Sequence, residues 1–382
     1  MMGTHEAFRL TVSLIGHPFA AIGRGEDLRC CYRAFKAVGV SPHVVNVYDG
    51  VGSDRDLEAE FSADTRHDAA DGIGLFCING DEIDSILSHL EARLARVGHR
   101  IVLPVWELAK YPEQWARQLE RFDEVWVPSA FVRDAIAPEI DRPVTVIPWS
   151  TGARFGVSPG RRHFGIPESA YAFLVAFDLR SYKERKNPLA ALDAFAEVIR
   201  VRPSRDLVLV VKMSGGDARP AAAEEIRGRL AERAAFLGLG RVSFIERNLT
   251  DNETKDLVRC CDCFISLHRS EGFGRFLAEA MLLGRPVIGT GYSGNMEFMN
   301  ADVSCLVNFR LIPVAPGAYP FWENQVWAEP DLEEAIAWMI RLVDDPAWGR
   351  RLGLRGSVHI RSNLSYRAVG LQYLEQLRRI FG

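Results

Sequence analysis

Two acidic residues, Glu271 and Glu279, stand with seven residues between them in the stretch SLHRSEGFGRFLAEAMLLGRPVIGT, residues 266–290. Gly272 and Gly274 follow the first; the second sits in an apolar run that reads as a helix ending at Gly284, a good C-cap. A glycine-rich turn lets backbone approach a ligand closely. A helix start behind it presents N–H groups and a positive dipole end, which together suit an anion, most simply phosphate. A carboxylate before the helix faces such a ligand. One placed about one and a half turns in can accept two hydrogen bonds from vicinal hydroxyls, as a ribose presents them. The plainer alternative is a Glu271 that only favours the dipole and a Glu279 that is solvated.

Four other stretches carry polar groups at strand ends. FDLRSYKERKNP, residues 177–188, places Arg180, Lys183, Arg185 and Lys186 within seven residues, either as an anion cradle or as a solvated basic loop. Asn187 is the expected N-cap and Pro188 the first residue of the next helix. GHPFAAIGRGEDLR, residues 16–29, has Gly16, Gly23 and Gly25 in a flexible turn before a helix headed by Glu26 and Asp27. Arg24 is placed to reach a phosphate; His17 either faces a ligand or packs. This is no GxGxxG followed by a ribose-binding acid, so a nicotinamide cofactor is weakly supported. Asn79 and Asp81 end another strand, Asp81 serving equally well as a helix cap. Trp106 and Glu107 end a third, suited to stacking on a sugar ring and to binding hydroxyls. His268 and Arg269 shortly precede Glu271, and Asn295 follows in SGNMEF.

These residues need a scaffold of strand ends, and the rest of the chain supplies one. RLTVSLIG, HVVNVY, GIGLFCIN, RIVLPVWE, EVWVPS and PVTVIPW read as strands in the first half, with amphipathic helical stretches between most of them. Continuous apolar strands alternating with helices mean a parallel sheet covered on both faces. Residues 150–169, rich in Gly, Ser, Pro and Arg, read as a linker and the entry to a second domain. The pattern then restarts with YAFLVAFD, DLVLVVKM, RVSFIE, CFISLH and RPVIGTG. The expected fold class is α/β, with two doubly wound, Rossmann-like domains facing each other across a cleft. Residues 1–155 form the first and 156–362 the second, and a last helix over 363–382 is a candidate to pack back on the first. Ligands of such sheets bind beyond the carboxyl ends of the strands, and the cleft is the expected site.

Bulk properties remove other classes. At 382 residues, two domains is the natural expectation. Hydrophobic content of 48% and charged content of 25% are those of a soluble globular protein. The net charge of −4 offers no global basic field to nucleic acid. Seven cysteines, an odd number in a long chain, do not suggest a secreted disulfide framework. Cys260 and Cys263 have CxxC spacing, but nothing completes a zinc site, and small apolar packing is the simpler reading. No run of 18 apolar residues predicts a membrane span, and the N-terminus lacks the form of a signal peptide. A cytoplasmic location follows by default, with peripheral membrane contact left open.

The Glu-x7-Glu pattern in SEGFGRFLAEAMLLGRPVIGT resembles the signature of retaining family 4 glycosyltransferases of the GT-B fold, also called glycosyl transferases group 1. The likeness extends to TGYSGNMEFM (290–299), to FDLRSYKERKNPLAALDAF (177–195) and to VWELAKYPEQW with FDEVWVPSAFV (105–132). It covers nearly the whole chain.

The resemblance implies a donor site for a nucleotide-diphosphate sugar. Glu271 would hold hydroxyls of the donor sugar; Gly272, Phe273 and Gly274 would lend N–H groups to sugar and phosphate; Glu279 would bind the ribose. Arg275 and Leu277 would lie near the nucleotide, with Asn295, His268, Gly16 and Arg24 as further donor-side candidates. Arg180 and Lys186 would sit on the diphosphate, where two cations stabilise charge that grows as the glycosidic bond breaks. No metal or cofactor would then be required. His17, Asn79, Asp81, Trp106 and Glu107 are the acceptor-side candidates. Many relatives carry a cleft histidine near the Trp106-Glu107 position, and its absence here leaves that histidine's role unassigned. The implied acceptor is a glycan, glycolipid or small-molecule hydroxyl, in bacterial polysaccharide or glycoconjugate synthesis. Rival readings are a non-catalytic sugar-nucleotide-binding subunit of a glycan assembly complex, a GT-B epimerase or phosphorylase, and a nicotinamide dehydrogenase.

Overall fold

A computed structural model of the chain describes residues 11–20, 22–48, 59–153, 157–216, 220–236 and 241–382. Contacts divide it into two units. Described residues up to Trp106, with Lys110–Ser150 and Leu364–Gly382, form the first; Glu107–Ala109 and Thr151–Asn363 form the second. The expected boundary at 155/156 falls on residues 154–156, outside the described residues.

In the first unit six parallel strands run in the order β2-β1-β3-β4-β5-β6: β1 Thr11–Gly16, β2 His43–Asn46, β3 Gly72–Phe76, β4 Val97–Val102, β5 Glu124–Val127 and β6 Val144–Val146. β4 stops at Val102, five residues before the end of the run RIVLPVWE. Pro104 has no N–H to give the ladder, so Trp106 and Glu107 lie in the loop beyond it. Helix α1, Gly23–Ala37, buries Leu28, Cys31 and Phe35 against the sheet. The last helix of the chain, Tyr366–Phe381, packs on α1 and the sheet. Its Tyr373 ring stacks on Phe35 and Trp126, with centroids 5.1 and 5.6 Å away, and its hydroxyl meets Cys31 Sγ at 3.2 Å.

In the second unit the order is β12-β11-β10-β7-β8-β9, again parallel: β7 Tyr171–Asp178, β8 Leu207–Ser214, β9 Val242–Ile245, β10 Cys263–Ser266, β11 Val287–Thr290 and β12 Cys305–Val307. β10 and β7 are its central strands and are apolar up to their last residues, Ser266 and Asp178, as a sheet covered on both faces requires. Two features of this unit have no counterpart in the sequence reading. β12 is only three residues long, and an antiparallel hairpin, β13 Phe309–Pro313 with β14 Val326–Pro330, projects beyond it. Both its strands are five residues long, β13 is largely exposed, and they carry little apolar alternation.

Candidate active site

The glycine turn is built as its sequence requires. Gly274 has φ +92°, a conformation that L side chains rarely adopt, and a Cβ there would lie 2.9 Å from Leu277 Cδ1. From it springs the helix Arg275–Leu282. The helix closes on Gly284 at φ +73°. Arg285 N–H reaches the Ala280 carbonyl and Gly284 N–H reaches that of Met281, a Schellman motif. Glu279 is buried in the second turn of this helix, not on an open edge. Leu277 is buried too, with its branches against the Gly274 and Gly289 backbone, so its side chain supports the turn from below. Phe273 is buried against Phe298, with centroids 5.1 Å apart.

Glu271 is fixed from behind by the loop after β11. Its N–H donates to Ser293 Oγ at 2.8 Å, and its carbonyl accepts from Gly294 N–H at 2.8 Å. The approach is close: a Cβ on Gly294 would lie 2.0 Å from the Gly272 carbonyl oxygen. Ser293 takes φ +75°, ψ −149°, a backbone state that costs a non-glycine residue energy and that clusters at functional sites. Asn295 was expected to touch the donor. It is fully buried, with its amide nitrogen on the Thr290 carbonyl at 2.9 Å and its oxygen on His268 Nε2 at 3.0 Å. It holds the loop, and its polar atoms are already engaged. His268 is likewise buried, its other ring nitrogen 3.0 Å from Ser266 Oγ. Burial pushes its pKa below the ordinary value although Glu271 opposes that.

The basic segment after β7 meets this turn. A short helix, Lys183–Lys186, follows Tyr182 at φ +62° and ends at Asn187 at φ +50°. Asn187 precedes the helix Pro188–Val201, but its side chain does not cap it. In the left-handed region its amide instead donates to the Leu267 carbonyl at 3.0 Å. Three further bonds join the segments: Arg269 N–H to the Arg185 carbonyl (2.7 Å), Arg269 Nη1 to the Glu184 carbonyl (2.7 Å) and Arg185 Nη1 to the Ser270 carbonyl (2.7 Å).

The result is a buried charge cluster. Lys186 Nζ lies 2.5 Å from Glu271 Oε1, and Arg185 Nη1 lies 3.2 Å from Oε2. Burial alone would raise the Glu271 pKa. Lys186, then Arg185 and His268, outweigh it and hold the carboxylate at about 2. Burial pushes Lys186 below its usual value, against the pull of Glu271. Arg185, only 2% exposed, also faces Glu107 Oε1 at 3.6 Å, and Glu107 accepts from the Tyr319 hydroxyl at 2.5 Å. Arg185 Nε and the Ser270 hydroxyl are buried without a hydrogen-bond partner among the described residues.

Arg180 was the preferred partner of Lys186. It lies at the C-terminal end of β7, but its Nε and Nη2 are held by Asp178 at 2.7–3.2 Å. Arg185 is the cation that joins Lys186 on Glu271. Asp178, Ser293, Gly294 and Tyr319 were not singled out from the sequence, and only the SGN stretch hinted at any of them. Arg275 starts the helix and is half-buried. Among the described residues no group of three His, Cys, Asp or Glu is arranged to hold a metal ion.

In the first unit the candidates also gather at strand ends, with different partners. Gly16 is a tight-packing position rather than a flexible one, since a Cβ would meet Leu28 Cδ1 at 2.9 Å. His17 Nε2 lies 2.7 Å from Glu82, which also accepts from Asn79 N–H at 3.2 Å. Burial opposes the Glu82 charge, yet His17, Asn79 N–H and Arg24 hold its pKa low. Asn79 Oδ1 accepts from Val105 N–H at 3.0 Å. Asp81 is exposed and caps nothing; the helix Ile83–His89 begins after Glu82. Arg24 is committed inward, to Asp27 at 2.8 Å and the Leu103 carbonyl at 2.5 Å, which leaves little of it for a phosphate. Trp106 is 2% exposed. Its ring stands edge-on to Tyr111 and Trp115, and its N–H donates to the Lys110 carbonyl at 2.8 Å. It packs the loop and has no open face for a sugar.

Residues 173–314, which contain this cluster, match the model of the family described as glycosyl transferases group 1. This segment is a glycosyl transferases group 1 domain, and the chain is a glycosyltransferase. Its two parallel-sheet domains match GT-B structures. The Anabaena protein HepE, crystallised with UDP and glucose, aligns at TM-score 0.71 and 15% identity, over 97% of this chain and 100% of that one. Sucrose-phosphate synthase from Thermosynechococcus elongatus aligns at 0.69 and 17%, over 98% and 99%. The lipopolysaccharide outer core galactosyltransferase WaaB aligns at 0.64 and 12%, over 97% and 99%. At these identities the likeness is one of fold.

Proposed function

We propose that this glycosyltransferase takes a nucleotide-diphosphate sugar as donor and transfers the sugar, with retained anomeric configuration, to an acceptor hydroxyl. The observation that carries the reading is the buried Lys186–Glu271–Arg185 cluster beside the start of the 275–282 helix, inside the glycosyl transferases group 1 domain. Glu271, held ionised, accepts from donor-sugar hydroxyls. The helix start and the two cations take the diphosphate, and Glu279 serves the ribose.

Retaining hydrolases pair two carboxylates, one of them a nucleophile. A Glu271 locked between two cations is a poor nucleophile, because its charge is already neutralised. The chemistry is assigned to the phosphate side. The sugar–phosphate bond breaks, the acceptor oxygen bonds the anomeric carbon from the same face, and the acceptor proton passes to the leaving phosphate oxygen. Lys186, Arg185 and Arg180 stabilise the charge that grows there, so no metal is needed for that role. The acceptor is a glycan, glycolipid or small-molecule hydroxyl of a bacterial polysaccharide or glycoconjugate pathway.

HepE has also been crystallised with UDP-glucose, which puts uridine sugars first in a donor panel. The purified chain is expected to be stabilised against heat by one nucleotide sugar and to release its nucleotide, with EDTA present or absent. A chain that binds the donor but never releases nucleotide, with any acceptor tried, would instead be a non-catalytic binding subunit.

A further inference from the structure

The helix Pro346–Leu364 has two unlike faces. Leu352, Gly353, Gly356, Ile360 and Leu364 are buried. Gly353 lies so close to the chain below that a Cβ would stand 2.2 Å from the Gly284 carbonyl oxygen, so the helix backbone is firmly seated. At 100° per residue the opposite face is centred on Ala347, Leu354 and Val358. Leu354 is 63% exposed and Val358 65% exposed, one turn apart, and nothing described covers them. Arg350 and Arg361 flank this apolar stripe on one side, Arg351 and Arg355 on the other, and all four are exposed. Arg355 Nε holds the Asp302 carbonyl and Arg361 Nε holds Ser357 Oγ. Arg350 and Arg351 have no hydrogen bond or ion pair among the described residues.

No acidic residue lies in the helix. It carries four arginines, Arg350, Arg351, Arg355 and Arg361, in a protein of net charge −4. Such a local excess asks for an anionic partner. A second copy of this chain on the same patch would set arginine against arginine. A nucleic acid would use the arginines but leave Leu354 and Val358 in water. A layer of anionic lipid headgroups uses both, taking the arginines at the phosphates and the apolar stripe at the acyl boundary. We propose that the solvent face of the 346–364 helix is a docking surface for an anionic lipid bilayer. It holds the glycosyltransferase on the membrane as a peripheral protein, consistent with the fact that none of its described helices is long and apolar enough to cross one.

The test is co-sedimentation of the full chain with phosphatidylcholine vesicles, alone or with roughly a third phosphatidylglycerol. Each arginine near such a surface is worth roughly a fivefold change in partition. The wild type is expected to bind the mixed vesicles and not the neutral ones, with inorganic phosphate failing to compete. Arg350→Ala with Arg351→Ala should weaken binding by about 25-fold, and Leu354→Ser with Val358→Ser by about tenfold or more. Neither pair should shift the melting temperature, because all four side chains are exposed and make no bond. Arg117→Ala, an exposed arginine of the first unit, is the control and should bind as the wild type does. Equal binding to neutral vesicles, no binding to either, or unaltered binding by both double variants would overturn the proposal. So would a chain that is dimeric in solution and becomes monomeric when Leu354 and Val358 are replaced.

Discussion

Lys186 and Glu271 lie 85 residues apart in the chain, yet the Lys186 ammonium is 2.5 Å from the Glu271 carboxylate; Glu271 is buried and Lys186 mostly so. The contact is made possible by four hydrogen bonds that tie residues 184–187 to residues 267–270, so neither side chain has to search for the other. A carboxylate and an ammonium fixed this way are organised before any donor arrives, which is what stabilising a developing charge requires.

Removing either partner should damage turnover far more than the fold's architecture. Lys186→Met is expected to lower kcat by about 10²–10³-fold, the range seen when one preorganised charge-stabilising group is lost. Glu271→Gln should raise KM for the donor sugar and lower kcat. Breaking a buried pair costs about 3–5 kcal/mol, so both variants should melt earlier while keeping their circular dichroism. Wild-type turnover from either would remove the cluster from the mechanism.

The pair also predicts a pH signature. The Glu271 pKa is about 2 in the folded chain against an ordinary 4.5, because Lys186, Arg185 and His268 outweigh burial. A depressed carboxylate stabilises the fold above its ordinary pKa, and that stability is lost as pH falls through the folded value. The difference in unfolding free energy between wild type and Glu271→Gln should be flat above pH 5. It should then shrink by up to about 3 kcal/mol between pH 4.5 and 2. Urea titrations at several pH values measure it, and a difference that grows on acidification would contradict the assignment.

Arg185 and Arg180 separate in the structure, so their variants should separate in rate. Arg185→Lys keeps a charge but loses the fork that spans Glu271, Glu107 and the Ser270 carbonyl. A fall in kcat of about 10²-fold is expected. Arg180→Ala, whose guanidinium rests on Asp178, should lose less, with a smaller change in melting temperature. The reverse order in a steady-state assay would give Arg180, not Arg185, the larger share of the diphosphate role.

Much of the scaffold was legible because a buried parallel strand writes itself as an apolar run, and the central strands β7, β8, β10 and β11 lie where those runs were. The Glu271 turn was legible because Gly274 needs a positive φ and Gly284 ends a helix, both local demands of backbone sterics. What pairs across the chain was not. Nothing in FDLRSYKERKNP shows that Asp178 occupies Arg180 while Arg185 turns inward. Trp106 and Asn295 looked like ligand contacts because polar or aromatic types near a strand end suggest one, but tertiary packing had already taken their faces. The β13–β14 hairpin was missed because β13 is largely exposed and neither strand carries a strong period.

Two glycines should prove intolerant for different reasons. Gly294→Ala drives a methyl to 2.0 Å from the Gly272 carbonyl oxygen, which is backbone and has little room to move. The Glu271 loop must then shift, and loss of activity should exceed what a fall of about 1–3 kcal/mol in stability would explain. Gly274→Ala meets φ +92° and the Leu277 side chain, at a cost of about 1–2 kcal/mol, and should tilt the helix start. Paired melting and kinetic measurements distinguish them. An active, equally stable Gly294→Ala would mean the loop is looser than drawn.

Asn295 tests whether a buried polar residue near the site positions or binds. Its amide serves the Thr290 carbonyl and its oxygen serves His268, on the loop whose Ser293 and Gly294 fix Glu271. Asn295→Leu strands both partners in a buried place, where each unpaired group costs about 1–3 kcal/mol. The expected result is a lower melting temperature and a lower kcat, with KM for the donor within about twofold. A direct donor contact would show the opposite split, with KM rising several-fold and stability held.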